Sequence, residues 1–164
     1  DMLPTICDLI EQPLPERPLD GISLKPLLDG EMESRPSPIC FWSYNTGALK
    51  GRKTKPWIPA KLQQGTTPLV KMMAGRYTRN FTNVHQPDII EADFTGLRTI
   101  LGNQYKLVVG ASGKAVQQLF DVQADPNETT DLIDEKPEVA KQLATELHEW
   151  QESVLTSLSG ADYD

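Results

Sequence analysis

Four carboxylates crowd the short segment QQLFDVQADPNETTDL, which runs from Gln117 to Leu132. They are Asp121, Asp125, Glu128 and Asp131. A metal loop or a catalytic carboxylate cluster would use such a group, and a turn between a strand and a helix would contain it without any chemistry. An EF-hand calcium loop needs oxygen ligands at alternate positions, a glycine at its sharp turn and a terminal glutamate. The segment lacks the alternation and the glycine, so it does not predict a calcium loop.

A turn accounts for the same residues. Asp125-Pro126-Asn127 is typical of a turn, because aspartate bonds its own backbone and proline presets φ. Thr129 and Thr130 can then cap the short turn that follows. The pattern therefore favours a structural role for the carboxylates, and no metal ligand is predicted.

The histidines and cysteines form no recognisable site. His85 and His148 are isolated and have no cysteine or carboxylate at the spacing of zinc ligands. Cys7 and Cys40 fit neither a disulfide framework nor a zinc motif, and their apolar surroundings favour small buried thiols. The sequence GASG is not the G-x-S-x-G nucleophile elbow. Composition and spacing alone predict no self-sufficient active site.

The net charge of −7 hides an uneven distribution. Residues 34–87, which we call the basic segment, contain no acid and nine bases: Arg35, Lys50, Arg52, Lys53, Lys55, Lys61, Lys71, Arg76 and Arg79. Such a stretch attracts anions, whereas the acidic remainder argues against a general nucleic-acid binder. A solvated loop without a ligand would have the same composition, and both interpretations stay open. No apolar run approaches the roughly 18 residues needed to span a bilayer.

The first half of the chain predicts little regular structure. Residues 1–11 favour a helix with one apolar face, and Pro26 to Leu28 favour a short helical turn. The segment from Pro38 to Tyr44 is rich in β-formers and predicts a strand buried on both faces. Residues 45–93 have poor periodicity, which is typical of a long functional loop or of disorder.

The second half predicts a sheet and a helix. GLRTIL and QYKLVV are two strands separated by Gly102-Asn103, and VQQLFDV is a third. The alternative is a sheet of four strands, in which the loop region contributes the fourth. A long helix begins at Pro137, and its apolar stripe consists of Val139, Leu143, Leu147, Trp150, Val154 and Leu158. The fold class is therefore α+β: a small antiparallel sheet of three or four strands, packed by a long C-terminal α-helix.

Four segments, taken in order, resemble the C-terminal part of formylglycine-dependent sulfatases. DMLPT is similar to the family's Asp-aliphatic-aliphatic-Pro-Thr helix start, and RPLDGISLKPLLDG to its Leu-Asp-Gly-x-Ser-Leu-x-Pro-Leu-Leu-x-Gly segment. QYKLVV resembles the strand that carries Tyr-Lys-Leu. LFDVQADPNETTDL resembles the family's ending, with Asp131 where asparagine is common. The pattern is closest to arylsulfatase A and N-acetylgalactosamine-6-sulfatase relatives. The resemblance implies that the carboxylate-rich turn joins the last strand to the terminal helix.

The resemblance also implies that the catalytic residues lie elsewhere. Members carry a Cys/Ser-x-Pro-x-Arg motif that becomes formylglycine, and a calcium ion held by Asp and Asn residues. Neither Cys7 nor Cys40 has a proline two places on or an arginine four places on. No catalytic residue and no metal ligand is carried over, and the chain alone is expected to be inactive. Calcium and formylglycine are implied for a full-length parent, and no cofactor for this chain.

The resemblance implies a division into two parts. Residues 1–93 would be the end of the large α/β domain with a long basic loop, and residues 94–164 the small sheet-and-helix subdomain. The expected partners are the N-terminal catalytic part of the same chain and a sulfated sugar or aryl substrate, with no nucleic acid and no membrane. An extracytoplasmic location is implied, whether periplasmic, secreted or lysosomal.

The hypothesis for a site concerns four neighbouring bases. We expect them near the mouth of the parent's catalytic cleft, where their field would attract a polyanionic substrate. They are Lys50, Arg52, Lys53 and Lys55. The alternative is a free-standing module that binds anionic glycans or another partner.

Overall fold

A computed structural model of the chain describes residues 1–44, 52, 72–73, 76–77, 88–110 and 117–162. The helices are α1 (Met2–Leu9), α2 (Lys25–Leu28), a 3₁₀ helix (Glu91–Phe94) and α3 (Pro137–Ser159). The strands are β1 (Ile39–Trp42), β2 (Met72–Met73), β3 (Arg76–Tyr77), β4 (Arg98–Leu101), β5 (Tyr105–Val109) and β6 (Gln117–Asp121). The predicted α+β class is confirmed.

The main sheet has four antiparallel strands in the order β1-β4-β5-β6. Cys40, Ile100, Leu107 and Leu119 lie opposite one another in the register and form one row across all four strands. Residues in such a row share one face of a sheet. Helix α3 covers this face with Leu143, Leu147 and other side chains, which form the hydrophobic core together with the row.

The fourth strand corrects two expectations. It is β1, which precedes the loop region, whereas the two short strands β2 and β3 of that region pair with each other. Strand β1 is also not buried on both faces, because Phe41 is 56% exposed. Side chains alternate along a strand, so Cys40 and Trp42 turn toward α3 while Phe41 turns to the opposite face.

Helix α3 begins at the predicted residue, Pro137, and ends at Ser159; Gly160 follows it with a φ of 90°, which is typical of the residue after a helix C-terminus. The predicted stripe is correct at its centre and wrong at its end. Leu143 and Leu147 are buried, but Leu158 is 38% exposed. The buried line continues instead through Leu155 and Gln151, and the side-chain amide of Gln151 donates to the carbonyl of Phe94 at 3.5 Å. Because Gln151 is polar, a pattern of apolar residues does not predict that it is buried.

The two predicted parts of the chain contact each other. Strand β1 comes from the first part and completes the sheet of the second. The Asn103 side chain accepts from the Arg35 amide at 2.9 Å and donates to the Arg35 carbonyl at 2.8 Å. The boundary at residue 93 stays a prediction. Within the described ranges, no helix is long and apolar enough to cross a membrane.

Candidate functional site

Helix α1 forms hydrogen bonds with residues 19–24, which we call the LDGISL segment. The Asp1 carboxylate accepts from the amide of Ile22 at 3.0 Å, and the Thr5 hydroxyl oxygen accepts from the amide of Leu24 at 3.0 Å. The Ser23 hydroxyl donates to the Asp8 carboxylate at 2.5 Å. The helix residues recur at intervals of four and three, so they share one face. The two N-terminal segments that resemble sulfatase motifs therefore hold each other in place.

An ion pair extends this network toward the sheet. The two terminal nitrogens of Arg35 donate to the two carboxylate oxygens of Asp1 at 2.9 and 2.8 Å. Bidentate pairs of this kind fix geometry as well as charge. Because the backbone of Arg35 also bonds Asn103, the start of α1 is connected to the turn between β4 and β5. The sequence predicts the turn at Asn103 but contains no signal for its partner, which lies 68 positions away.

The opposite face of α1 is apolar and exposed. Pro4 is the buried residue of the helix, and the exposed fraction of Met2 is 77%. We call the remaining set the apolar face of α1: Met2, Leu3, Ile6, Leu9 and Ile10. A surface helix normally turns its apolar stripe inward and its polar residues outward. Helix α1 does the reverse with respect to the described part of this chain.

A cleft of about 630 Å³ lies between the N-terminal segment and α3. Its lining includes the carboxylates of Asp20, Glu146 and Glu149, together with Trp150 and Cys40. Burial, with a smaller contribution from Asp20 and Glu146, raises the pKa of the Cys40 thiol to about 11. The thiol therefore stays protonated near neutral pH and is a poor nucleophile. The lining also contains Asp1 and Arg35, so four carboxylates face one cationic side chain and the net negative charge repels a sulfate group.

The predicted basic site is described only at Arg52, since Lys50, Lys53 and Lys55 lie outside the described residues. Arg52 Nη1 donates to both oxygens of Asp93 at 2.9 Å. The structure therefore gives Arg52 a protein partner that the sequence had not indicated.

The carboxylate-rich turn has the predicted structural role. Asp125 accepts from the amides of Thr129 and Thr130 at 2.7 and 2.9 Å, so the aspartate caps the threonines and not the reverse. Asp121 likewise accepts from the amides of Gln123 and Ala124 at 3.1 and 2.9 Å. These bonds lower the pKa of both carboxyls; the largest cause is the Thr130 amide for Asp125 and the Ala124 amide for Asp121.

The other two carboxylates of the segment face different donors. Glu128 forms an ion pair with Lys106 at 2.7 Å, and Asp131 accepts from the amides of Leu119 and Ile133 at 3.0 and 3.1 Å. The four carboxylates therefore do not converge on one point. Among the described residues, no group of three or more His, Cys, Asp or Glu could hold a metal ion.

Comparison with solved structures identifies the fold. One similar structure is that of a protein in complex with its substrate D-glucosamine-2-N,6-O-disulfate; the TM-score is 0.51 and the identity 18%, with 93% of this chain and 23% of that chain covered. A candidate sulfatase from Bacteroides thetaiotaomicron VPI-5482 and a 2-O GAG sulfatase each give a TM-score of 0.47 and 22% identity, with 99% of this chain and 25% of theirs covered. No family model and no curated protein matches the sequence.

The chain has the fold of the C-terminal portion of sulfatases, as its motifs predict. At this level of identity the likeness is one of fold. The chain spans between 23% and 25% of the length of these structures.

Proposed function

We propose that this chain is the C-terminal region of a sulfatase, a hydrolase of sulfuric esters. The catalytic residues, the formylglycine and the calcium ion would belong to a preceding part of the same polypeptide. The residues described here supply no set of metal ligands. The 164-residue chain alone is proposed to be inactive, because neither Cys7 nor Cys40 lies in a Cys/Ser-x-Pro-x-Arg motif.

The orientation of α1 is the observation that carries this proposal. Its polar residues Asp1, Thr5 and Asp8 bond to the LDGISL segment, while its apolar face turns away from the described part of the chain. Burying one such side chain fully stabilises a protein by about 1.5–3 kcal/mol, so a surface that covered all five would add a large stabilisation. We propose that the catalytic α/β part of the sulfatase covers this face.

A sulfated sugar is the proposed substrate, and an aryl sulfate is the other class within the same chemistry. A similar structure contains a disulfated glucosamine, which supports the sugar. A nearer relation to arylsulfatase A or to N-acetylgalactosamine-6-sulfatases is proposed on the motifs alone. The field of the basic segment would attract the polyanion at long range. An extracytoplasmic location belongs to the same proposal.

Peptide mapping of the natural protein tests the proposal. We expect an intact mass well above 18.3 kDa and a peptide upstream of Asp1 with a Cys/Ser-x-Pro-x-Arg motif that bears formylglycine. The natural protein should hydrolyse an aryl sulfate ester, and the 164-residue chain should not. A natural protein whose N-terminus lies near Asp1, and which binds sulfated glycan in a salt-dependent manner, would overturn the proposal in favour of a free-standing binding module.

A further inference from the structure

The carboxylate of Asp93 is buried in an otherwise partly exposed region. The side chain is 0% exposed and belongs to the 3₁₀ helix. Its Oδ2 accepts from the amide of Ile90 at 3.0 Å, and its Oδ1 accepts from the hydroxyl of Tyr44 at 3.3 Å. An ionised carboxylate in such a place is stable only if a positive charge and several donors compensate for the lost hydration.

Arg52 supplies a positive charge at this point. Its side chain is 17% exposed, and Nη1 lies 2.9 Å from each oxygen of Asp93. Nη2 donates to the main-chain carbonyl of Asp88. The guanidinium therefore spans the chain from the residue that follows the basic segment to the third residue of the 3₁₀ helix. A lysine ammonium would not reproduce this planar arrangement of donors.

The surroundings of the pair connect it to the core. Trp42 Nε1 donates to the carbonyl of Thr95 at 2.9 Å, directly after the 3₁₀ helix, and Gln151 of α3 donates to the carbonyl of Phe94. Tyr44, which bonds Asp93, also lies edge-on to Trp42 with ring centroids 5.0 Å apart. Position 52 is thus attached to a segment that the sheet and the long helix both hold.

We infer that Arg52 is a positioning residue and not an anion ligand: its guanidinium compensates the buried Asp93 and fixes position 52 of the basic segment against the 3₁₀ helix. The ion pair itself does not depend on the proposed sulfatase function. Only the consequence for substrate rests on that function, since attraction of a sulfated polymer then falls to bases other than Arg52.

A double-mutant cycle tests the ion pair by itself. In the 164-residue chain, Arg52→Gln should raise the unfolding equilibrium constant about a hundredfold or more, because the buried charge of Asp93 loses the cation that bonds both of its oxygens. Arg52→Gln/Asp93→Asn should be more stable than Arg52→Gln alone, since the second change removes that charge. The matched control is Lys25→Gln/Asp29→Asn, an exposed pair with side chains 43% and 49% accessible, whose coupling should stay within about threefold. Additive effects of Arg52→Gln and Asp93→Asn, or an Arg52→Gln chain as stable as the parent chain, would overturn the inference.

Binding to heparin separates a positioning residue from a ligand of the anion. The double variant Arg52→Gln/Asp93→Asn removes both charges of the pair and leaves the net charge unchanged. We expect its affinity for heparin to stay within about threefold of that of the parent chain, because Arg52 is occupied by Asp93 and does not contact the anion. A loss of affinity of more than about threefold in this double variant would contradict the inference. Failure of the parent chain to bind heparin would count against substrate attraction by the basic segment in the proposed function, and the stability cycle would still decide the role of Arg52.

Discussion

Replacing Leu147 with alanine lowers the free energy of unfolding of the sheet-and-helix unit by about 2–5 kcal/mol. Leu147 is 1% exposed and belongs to the core cluster with Ile100 and Leu107 of the sheet. Its removal leaves a cavity between two layers that cannot fully collapse onto each other. Urea denaturation followed by circular dichroism measures the change.

Leu158 is the matched control on the same helix. It belongs to the predicted apolar stripe but is 38% exposed. Leu158→Ala should lower the free energy of unfolding by less than about 1 kcal/mol, because shortening a partly exposed side chain leaves no enclosed cavity. Equal losses for the two substitutions would contradict the orientation of α3 described here and would restore the stripe that periodicity predicts.

Replacing Gly96 with alanine is expected to separate β1 from β4. Gly96 has a φ of 112°, and a Cβ placed there would overlap the carbonyl oxygen of Ser43. That carbonyl is part of the backbone, so it cannot move aside as a flexible side chain would. We expect the free energy of unfolding to fall by more than about 2 kcal/mol, because the costs of the unfavourable φ and of the steric overlap add. Unfolding by urea measures this loss.

Gly30 provides the control, because its φ is 77° but no atom lies within 4 Å of the corresponding Cβ. Gly30→Ala should cost only the backbone term of about 1–2 kcal/mol. Hydrogen exchange at Ser43, whose amide donates to the carbonyl of Leu97 at 2.8 Å, gives a local reading of the same effect. It should accelerate in Gly96→Ala and not in Gly30→Ala. The same rate in both variants would mean that β1 does not depend on the close approach at Gly96.

A close backbone contact also explains the glycine at position 21 of the N-terminal motifs. A Cβ on Gly21 would overlap the backbone nitrogen of Asp1. Glycine at this position lets the LDGISL segment come near enough for the Ile22 amide to bond the Asp1 carboxylate. The two segments that resemble sulfatase motifs are thus a contact pair, and the glycine at position 21 follows from that contact.

The sequence predicts local structure well and distant contacts poorly. The turn at Asp125 and the start of α3 at Pro137 were predictable because each depends on a few neighbouring residues. The pairing of β1 with β4 joins residues about 60 positions apart, as in Cys40 and Ile100, and no periodicity indicates it.

The candidate site shows the same limit. The basic segment could be recognised by composition, but the pairing of Arg52 with Asp93 joins positions 41 apart. An aspartate in the sequence EADF has no signal of burial, since acidic residues are mostly exposed. Only the fold brings the sheet, α3 and the 3₁₀ helix around this aspartate and buries its carboxylate next to Arg52.

The apolar face of α1 offers the most direct test of the central claim, that this chain is one part of a sulfatase. Hydrogen exchange should be measured at the amides of Ile6, Leu9 and Ile10 in the natural protein and in the 164-residue chain, with Leu107 of β5 as the internal reference. We predict strong protection of α1 in the natural protein and weak protection in the chain alone, with Leu107 protected in both, because the catalytic part covers α1 only in the natural protein. Equal protection of α1 in the two samples would contradict the account, since nothing beyond this chain would then cover the helix.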